Sequence, residues 1–388
     1  MTAFLDTTFD FDRQYRNLGI IALDGAKEFA KKVDWYLVQW YNAEAEKQNK
    51  PFRKTSFILD CICPRFTSGD GKALIKDSVR GMDIFIMCDV GNYSITYNMF
   101  GQTVPMSPDD HYADLKRVIC ALGGKADRIS VVMPILYGGR QHRRTARESL
   151  DCAMMLRELE TLGVTEVITF DAHDPRVQNA TPLMGFDNFM PPYQVMKALL
   201  RRFTGLQMDK NHFMVVAPDE GALGRNMYYA SVLGVDLGMF YKRRDYSTVV
   251  NGRNPIIAHE YIGSSVMGMD VFIADDIIAT GESLISLAQH LKQQGANRIF
   301  LCATFALFTE GVEKFRRAYA EGLFDAVVST NLTYNNPEAL QEPWFVLADM
   351  SKFTAYIISS CNQDKSVSSL LDPHDKITEL IDKHVANN

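Results

Sequence analysis

In VFIADDIIATGESL, residues 271–284, an apolar run ends in two adjacent carboxylates, Asp275 and Asp276. Thr280, Gly281, Glu282 and Ser283 follow, just where a helical pattern begins. Backbone N–H groups and the dipole at a helix start favour an anion, by ~0.3–1 kcal/mol when exposed and up to ~2 kcal/mol in better geometries. Two carboxylates cannot bind that same anion, but they can accept hydrogen bonds from a neighbouring diol. Phosphate in the loop and ribose hydroxyls on the acids together describe a sugar phosphate. The plainer reading is an N-cap at Thr280 or Ser283 with both acids solvated.

Other chemistry-bearing residues also follow apolar runs. EVITF leads into Asp171-Ala172-His173, FMVVAP into Asp219, and LGMFY into Lys242-Arg243-Arg244 and the polar DYSTVVNGRNP. ISVVMP runs on to Arg140-Gln141-His142-Arg143-Arg144, and Arg65-Phe66-Thr67-Ser68-Gly69-Asp70 lies upstream. Each has a plain counterpart. A basic triplet is usually a solvated face, a lone histidine is usually structural, and Arg143 and Arg144 suit a surface loop.

These residues need a scaffold, and the pattern supplies one. Strands are expected at 18–24, 82–87, 129–134, 166–170, 213–218, 237–241, 271–274, 298–304 and 326–330. They are continuous apolar runs, as in strands buried on both faces. Helical periodicity covers Ala26–Tyr41, and two further helical stretches end at Gly163 and Gly295. The polar, proline-containing segment 42–54 reads as a surface excursion. Repeating β-α-β units imply an α/β fold with mainly parallel sheets. In such sheets ligands bind beyond the carboxyl ends of the strands, where these side chains collect.

With 388 residues the chain exceeds one comfortable core, so two domains are expected. A net charge of −6 disfavours a nucleic-acid-binding surface. No apolar run is long enough to span a membrane. The first residues lack a signal-peptide pattern, and the seven cysteines include no CxxC pair, so cytoplasmic residence is expected. Cys61 and Cys63 read as packing thiols. A nicotinamide dehydrogenase and a P-loop kinase are disfavoured, because neither GxGxxG nor GxxxxGK[ST] occurs.

The 271–284 stretch resembles the phosphoribosyl diphosphate signature shared by type I phosphoribosyltransferases and ribose-phosphate diphosphokinases. The other clusters resemble the diphosphokinases alone. Lys242 and Arg244 match that family's catalytic Lys-x-Arg, and Asp171-Ala172-His173 its "DLH" segment. Asp219 matches an acid of its metal and ribose 5-phosphate site. Arg140 and Gln141 match "ARQD", with His142 in place of the acid. Residues 65–70 resemble "RFSDGE", which contacts the adenine of ATP in a neighbouring subunit; Ser68 and Asp70 depart from it. Ala279 stands where a third acid is common. The N-terminal arm, residues 42–54 and the segment between MCDV (87–90) and ALGG (121–124) also depart from the family.

This resemblance implies two similar type I phosphoribosyltransferase-like domains. Residues 1–188 with 351–388 would form the ATP side, and 189–350 the ribose 5-phosphate side. It implies transfer of diphosphoryl from MgATP to ribose 5-phosphate. ATP would be bound by Phe66, Ser68, Asp70, Arg140, Gln141 and His173. Ribose 5-phosphate would be bound by Asp219, Asp275, Asp276, Thr280, Gly281, Glu282 and Ser283. His173 and Asp219 would hold Mg²⁺ or its waters, and Lys242 and Arg244 would be catalytic. A homo-oligomer, dimer or hexamer, is implied, with no nucleic-acid or membrane partner. The alternatives are a phosphoribosyltransferase and a non-catalytic regulatory subunit.

Overall fold

A computed structural model describes residues 17–49, 53–244 and 256–386, leaving aside the side chains of 242–244 and 256–259. The chain divides into two compact units. The first comprises residues 1–191, 331–334 and 349–372; the second comprises 192–330, 335–348 and 373–388.

The first unit is built on a five-stranded, wholly parallel sheet in the order Asn17–Ala22, Met82–Met87, Arg128–Val132, Glu166–Phe170, Gly185–Phe189. Every residue of Met82–Met87 is buried, which is why that strand is apolar apart from Asp83. Ile84, Ile86, Val131 and Val167 pack with Leu115, Val118, Met155 and Leu159 from the helices Pro108–Leu122 and Asp151–Thr161. Pro108–Leu122 starts with a capping box in which Ser107 and Asp110 bond each other's backbone.

The returning segments are tied in by polar contacts. Asp89 is fully enclosed and accepts from Thr333 Oγ1, the Gly91 N–H and the Tyr334 N–H. Arg128 pairs with the buried Asp83 at 2.6 Å and donates to the Cys361 carbonyl. Helix Ser351–Asn362 is thereby fastened to the first sheet, and its Tyr356 stacks on Trp40.

The second unit holds a seven-stranded sheet in the order Ile256–Ile262, Asp236–Arg244, Phe213–Ala217, Asp270–Ile278, Ile299–Ala306, Ala326–Thr330, Phe345–Ala348. All neighbours are parallel except the first pair. Apolar clusters fill both faces, one around Leu284, Leu287 and Phe315, the other around Val195, Leu199, Tyr229 and Phe272.

Several expectations need correction. The first long helix is Lys27–Lys47, so residues 42–47 are helical rather than a surface excursion. Alanines and long side chains are good helix formers, Ala45 is buried, and the Asn42 amide holds both polar groups of the Lys54 backbone. Helix His374–Ala386, expected with the first domain, packs on the second unit, with Ile377 in its core. Strands Gly185–Phe189, Ile256–Ile262 and Phe345–Ala348 and the hairpin Thr96–Met99/Gln102–Pro105 were not anticipated. They are edge or surface elements; all but the short, apolar Phe345–Ala348 mix apolar and polar side chains.

Candidate active site

The acid pair lies inside a strand, not after it. Asp270–Ile278 continues four residues beyond the expected 271–274, and Asp275 and Asp276 occupy its late positions. Asp275 pairs in register with Ala303 of the neighbouring strand. Asp276 is buried, whereas Asp275 is partly open. Asp275 Oδ1 accepts from the Asp276 N–H, and Asp276 Oδ1 from the Ile277 N–H. Burial and the negative charge of Asp276 push the Asp275 carboxyl up to about 7, while Arg225, 3.7 Å away, pulls it back.

The strand ends at Ile278 and the turn passes Ala279, Thr280 and Gly281 into helix Glu282–Gln293. Gly281 has φ 80°, a left-handed conformation that glycine adopts without cost. A Cβ there would also collide with the Phe315 ring. Gly281 supplies the carbonyl for the first helical hydrogen bond, from Ile285. The N–H groups of the first helical turn lack intrahelical acceptors by geometry, and they are the groups a phosphate would take. Thr280 Oγ1 is 3.5 Å from the Glu282 N–H. The Glu282 carboxylate is turned to Lys314 at 2.5 Å, so this residue offers its backbone rather than its side chain.

Two functional neighbours escaped the sequence reading. Arg225, from helix Leu223–Leu233, is the cation beside Asp275. The fully buried Asn226 bonds both polar groups of the Ala274 backbone, at 2.7 and 3.1 Å. It thus fixes the strand directly before the acids. A lone Arg-Asn inside a helical pattern carries no signal of either role. Asp219 lies between strand Phe213–Ala217 and the same helix, its Oδ1 accepting from the Ala222 N–H. Phe213–Ala217 is hydrogen-bonded to Asp270–Ile278, so Asp219, Asp275 and Asp276 are at the carboxyl ends of adjacent strands. Three carboxylates thus come from neighbouring strand ends, with Arg225 beside one of them, but their oxygens do not converge into a close ligand set.

Lys242 and Arg244 lie in strand Asp236–Arg244, which runs three residues past the expected end and pairs with Ile256–Ile262. Their side chains, and the loop expected to follow, fall outside the described residues.

In the first unit, Asp171 follows strand Glu166–Phe170 with φ 44°, an uncommon conformation for a non-glycine residue. The Asn188 amide oxygen accepts from the Ala172 N–H and secures this turn. His173 is exposed, and its ring lies 5.2 Å from that of His142. His142 Nε2 is 3.6 Å from Asp174, whose carboxyl is held down at about 2, chiefly by Arg176. The substituted His142 is therefore brought together with His173, while Arg140 and Gln141 are exposed beside it.

Phe66, Ser68 and Asp70 form an exposed loop closed by the Phe66 N–H to the Asp70 carbonyl, with Ser68 donating to Asp70. Arg65 points away from that loop's surface into a buried pair with Asp114 at 2.6 Å. A cavity of about 730 Å³ between helices Pro108–Leu122 and Asp151–Thr161 contains none of the expected site residues. Among the described residues, the one close set of three metal-ligating side chains is Glu166, Asp187 and Cys361. Glu166 begins its strand, at the end opposite the turn that carries His173.

Two family models match the chain. One, the N-terminal domain of ribose phosphate pyrophosphokinase, covers residues 18–163; the other, a phosphoribosyl transferase domain, covers residues 193–333. Ribose-phosphate pyrophosphokinases from Shewanella oneidensis and Pasteurella multocida are 29% and 28% identical to it. Each alignment spans 80% of this chain and 90% of the relative. The chain belongs to the ribose-phosphate pyrophosphokinase family. This is the diphosphokinase family whose motifs the sequence resembles. Phosphoribosylpyrophosphate synthetase from Mycobacterium smegmatis shares the family fold, with a TM-score of 0.70 at 19% identity, over 90% of this chain and all of that one.

Proposed function

We propose that the chain is a ribose-phosphate diphosphokinase, making 5-phosphoribosyl 1-diphosphate and AMP from ATP and ribose 5-phosphate. The C1 hydroxyl oxygen attacks the β-phosphorus of ATP, the bond from that phosphorus to the oxygen bridging it to the α-phosphorus breaks, and AMP leaves. The observation that favours making phosphoribosyl diphosphate over using it is the first unit. Residues that match the N-terminal domain of ribose phosphate pyrophosphokinase accompany the phosphoribosyltransferase-like domain, and a phosphoribosyltransferase has no need of an ATP side.

Phosphoryl transfer demands positioning and charge cancellation more than covalent help. The 5-phosphate is assigned to the N–H groups of Gly281, Glu282 and Ser283 and to the hydroxyls of Thr280 and Ser283. Asp275 and Asp276 take the ribose hydroxyls, with Asn226 holding their strand in place. Phe66, Ser68, Asp70, Arg140, Gln141 and His173 take ATP. Lys242 and Arg244 neutralise charge on the transferring group. Mg²⁺ would be held by Asp219 and by waters at His173, and when bound it would screen the phosphate oxygens. A cytoplasmic homo-oligomer, dimer or hexamer, completes the reading.

The deciding experiment is to incubate the purified chain alone with ATP, Mg²⁺ and ribose 5-phosphate. AMP should appear in equal amount to phosphoribosyl diphosphate. AMP formation only after an active homologous subunit is added would instead identify a regulatory subunit. Consumption of phosphoribosyl diphosphate with a nucleobase, and no AMP from ATP, would identify a phosphoribosyltransferase.

A further inference from the structure

The loop Phe66–Asp70 does not stand alone. The hairpin Thr96–Met99/Gln102–Pro105 lies in the segment that departs from the family pattern, and it is fastened to this loop. The Phe100 N–H donates to the Thr67 carbonyl at 2.9 Å. Met99 Sδ covers Gly69 so closely that a Cβ there would lie 2.7 Å from it. Arg65, at the root of the loop, lies against the Tyr97 ring at 5.4 Å.

The tip of the hairpin has an unusual composition. Met99 pairs with Gln102, leaving Phe100 and Gly101 as a two-residue turn with φ of 48° and 79°. Such a turn requires positive φ at both central residues, which asparagine, aspartate and glycine supply easily. Phenylalanine in that conformation is strained. Its side chain is 81% exposed, so packing among the described residues offsets little of that strain. The Phe66 ring, 55% exposed, rises from the residue next to the one that holds Phe100. A strained backbone that displays an exposed aromatic ring, hydrogen-bonded to the residue next to a second exposed one, points to a flat ligand.

We propose that Phe100 is a second aromatic contact for the purine base of the nucleotide, extending the base-reading surface of Phe66 through the hydrogen-bonded hairpin. The inference rests on the assignment of Phe66, Ser68 and Asp70 to ATP. Stacking of a base on an aromatic side chain is favourable whatever the base's edge pattern. The ring would therefore set ATP affinity without touching the reacting phosphates.

The test compares Phe100→Asn, Phe100→Tyr and Phe66→Ala in the full-length enzyme by steady-state kinetics. Asparagine suits the turn and keeps the N–H that bonds Thr67, so Phe100→Asn should melt no lower than the parent. It should raise KM for ATP about tenfold, equivalent to about 1.4 kcal/mol, with kcat and KM for ribose 5-phosphate retained. Phe100→Tyr should restore KM for ATP. An unchanged KM for ATP in Phe100→Asn, beside a raised one in Phe66→Ala, would overturn the proposal and leave the loop assignment standing. An unchanged KM in both variants would overturn the loop assignment itself. A change of oligomeric state in Phe100→Asn, read by sedimentation, with KM for ATP restored once the assembly reforms at high protein concentration, would make Phe100 an interface residue and also overturn the proposal.

Discussion

Replacing Asp275 by asparagine tests the electrostatics of the acid pair most directly. Its carboxyl is displaced from an ordinary 3.8 to about 7 by burial and by Asp276. Between those values the folded state binds the extra proton, so stability falls as pH rises through this window. The full displacement corresponds to ~4 kcal/mol at 1.36 kcal/mol per unit. The Asp275 side chain is 31% accessible, and solvent screening at such a site reduces the penalty to about 1–2 kcal/mol. Asparagine keeps the shape and removes the charge. Ligand-free Asp275→Asn should therefore melt about 1–3 °C above the parent at pH 8.5, with the gap shrinking toward zero as pH falls to about 4. Thermal melting across that range, without metal or substrate, is the assay. A variant that melts lower than the parent, or a gap independent of pH, would refute the reasoning. The same variant should bind ribose 5-phosphate poorly, because an amide N–H₂ replaces an acceptor oxygen.

Three further outcomes are expected. Lys242→Ala should keep the parent's circular dichroism and lose about 10²–10³ in turnover; near-normal turnover would remove Lys242 from the chemistry. Ser283→Ala should raise KM for ribose 5-phosphate and leave KM for ATP within about twofold, since one hydroxyl contact contributes about 1 kcal/mol to its own ligand; equal effects on both substrates would argue against the phosphate-loop assignment. Gly281→Ala combines positive φ with a clash against Phe315, and it should lower stability by about 1–3 kcal/mol in chemical denaturation. An unchanged midpoint would mean that the turn before helix Glu282–Gln293 relaxes more freely than its packing implies.

Strands Met82–Met87, Glu166–Phe170 and Ala326–Thr330 were legible to the residue, because burial on both faces leaves a mainly apolar run between polar turns. The edge strand Asn17–Ala22 was legible too, being apolar, whereas polar residues interrupt Gly185–Phe189, Ile256–Ile262 and the hairpin Thr96–Met99/Gln102–Pro105. The length of helix Lys27–Lys47 was missed because its last turns are polar; Ala45, the Asn42 bonds to Lys54 and the Arg53 contacts to Asn42 and Glu46 hold them in place.

The candidate site divides in the same way. Asp275, Asp276 and the Thr280–Ser283 turn are contiguous, so their gathering between one strand and the next helix was readable from order alone. The chain by itself determined that acids, a histidine and basic residues gather toward the carboxyl ends of strands, while the structure places Asp275, Asp276, Lys242 and Arg244 within their strands rather than after them. Arg225 beside Asp275, Asn226 bonded to Ala274, His142 drawn to His173, and Phe100 fastened to Thr67 were decided by tertiary structure. Each joins positions with no fixed spacing, and its strength depends on distance and burial, which a linear sequence does not contain.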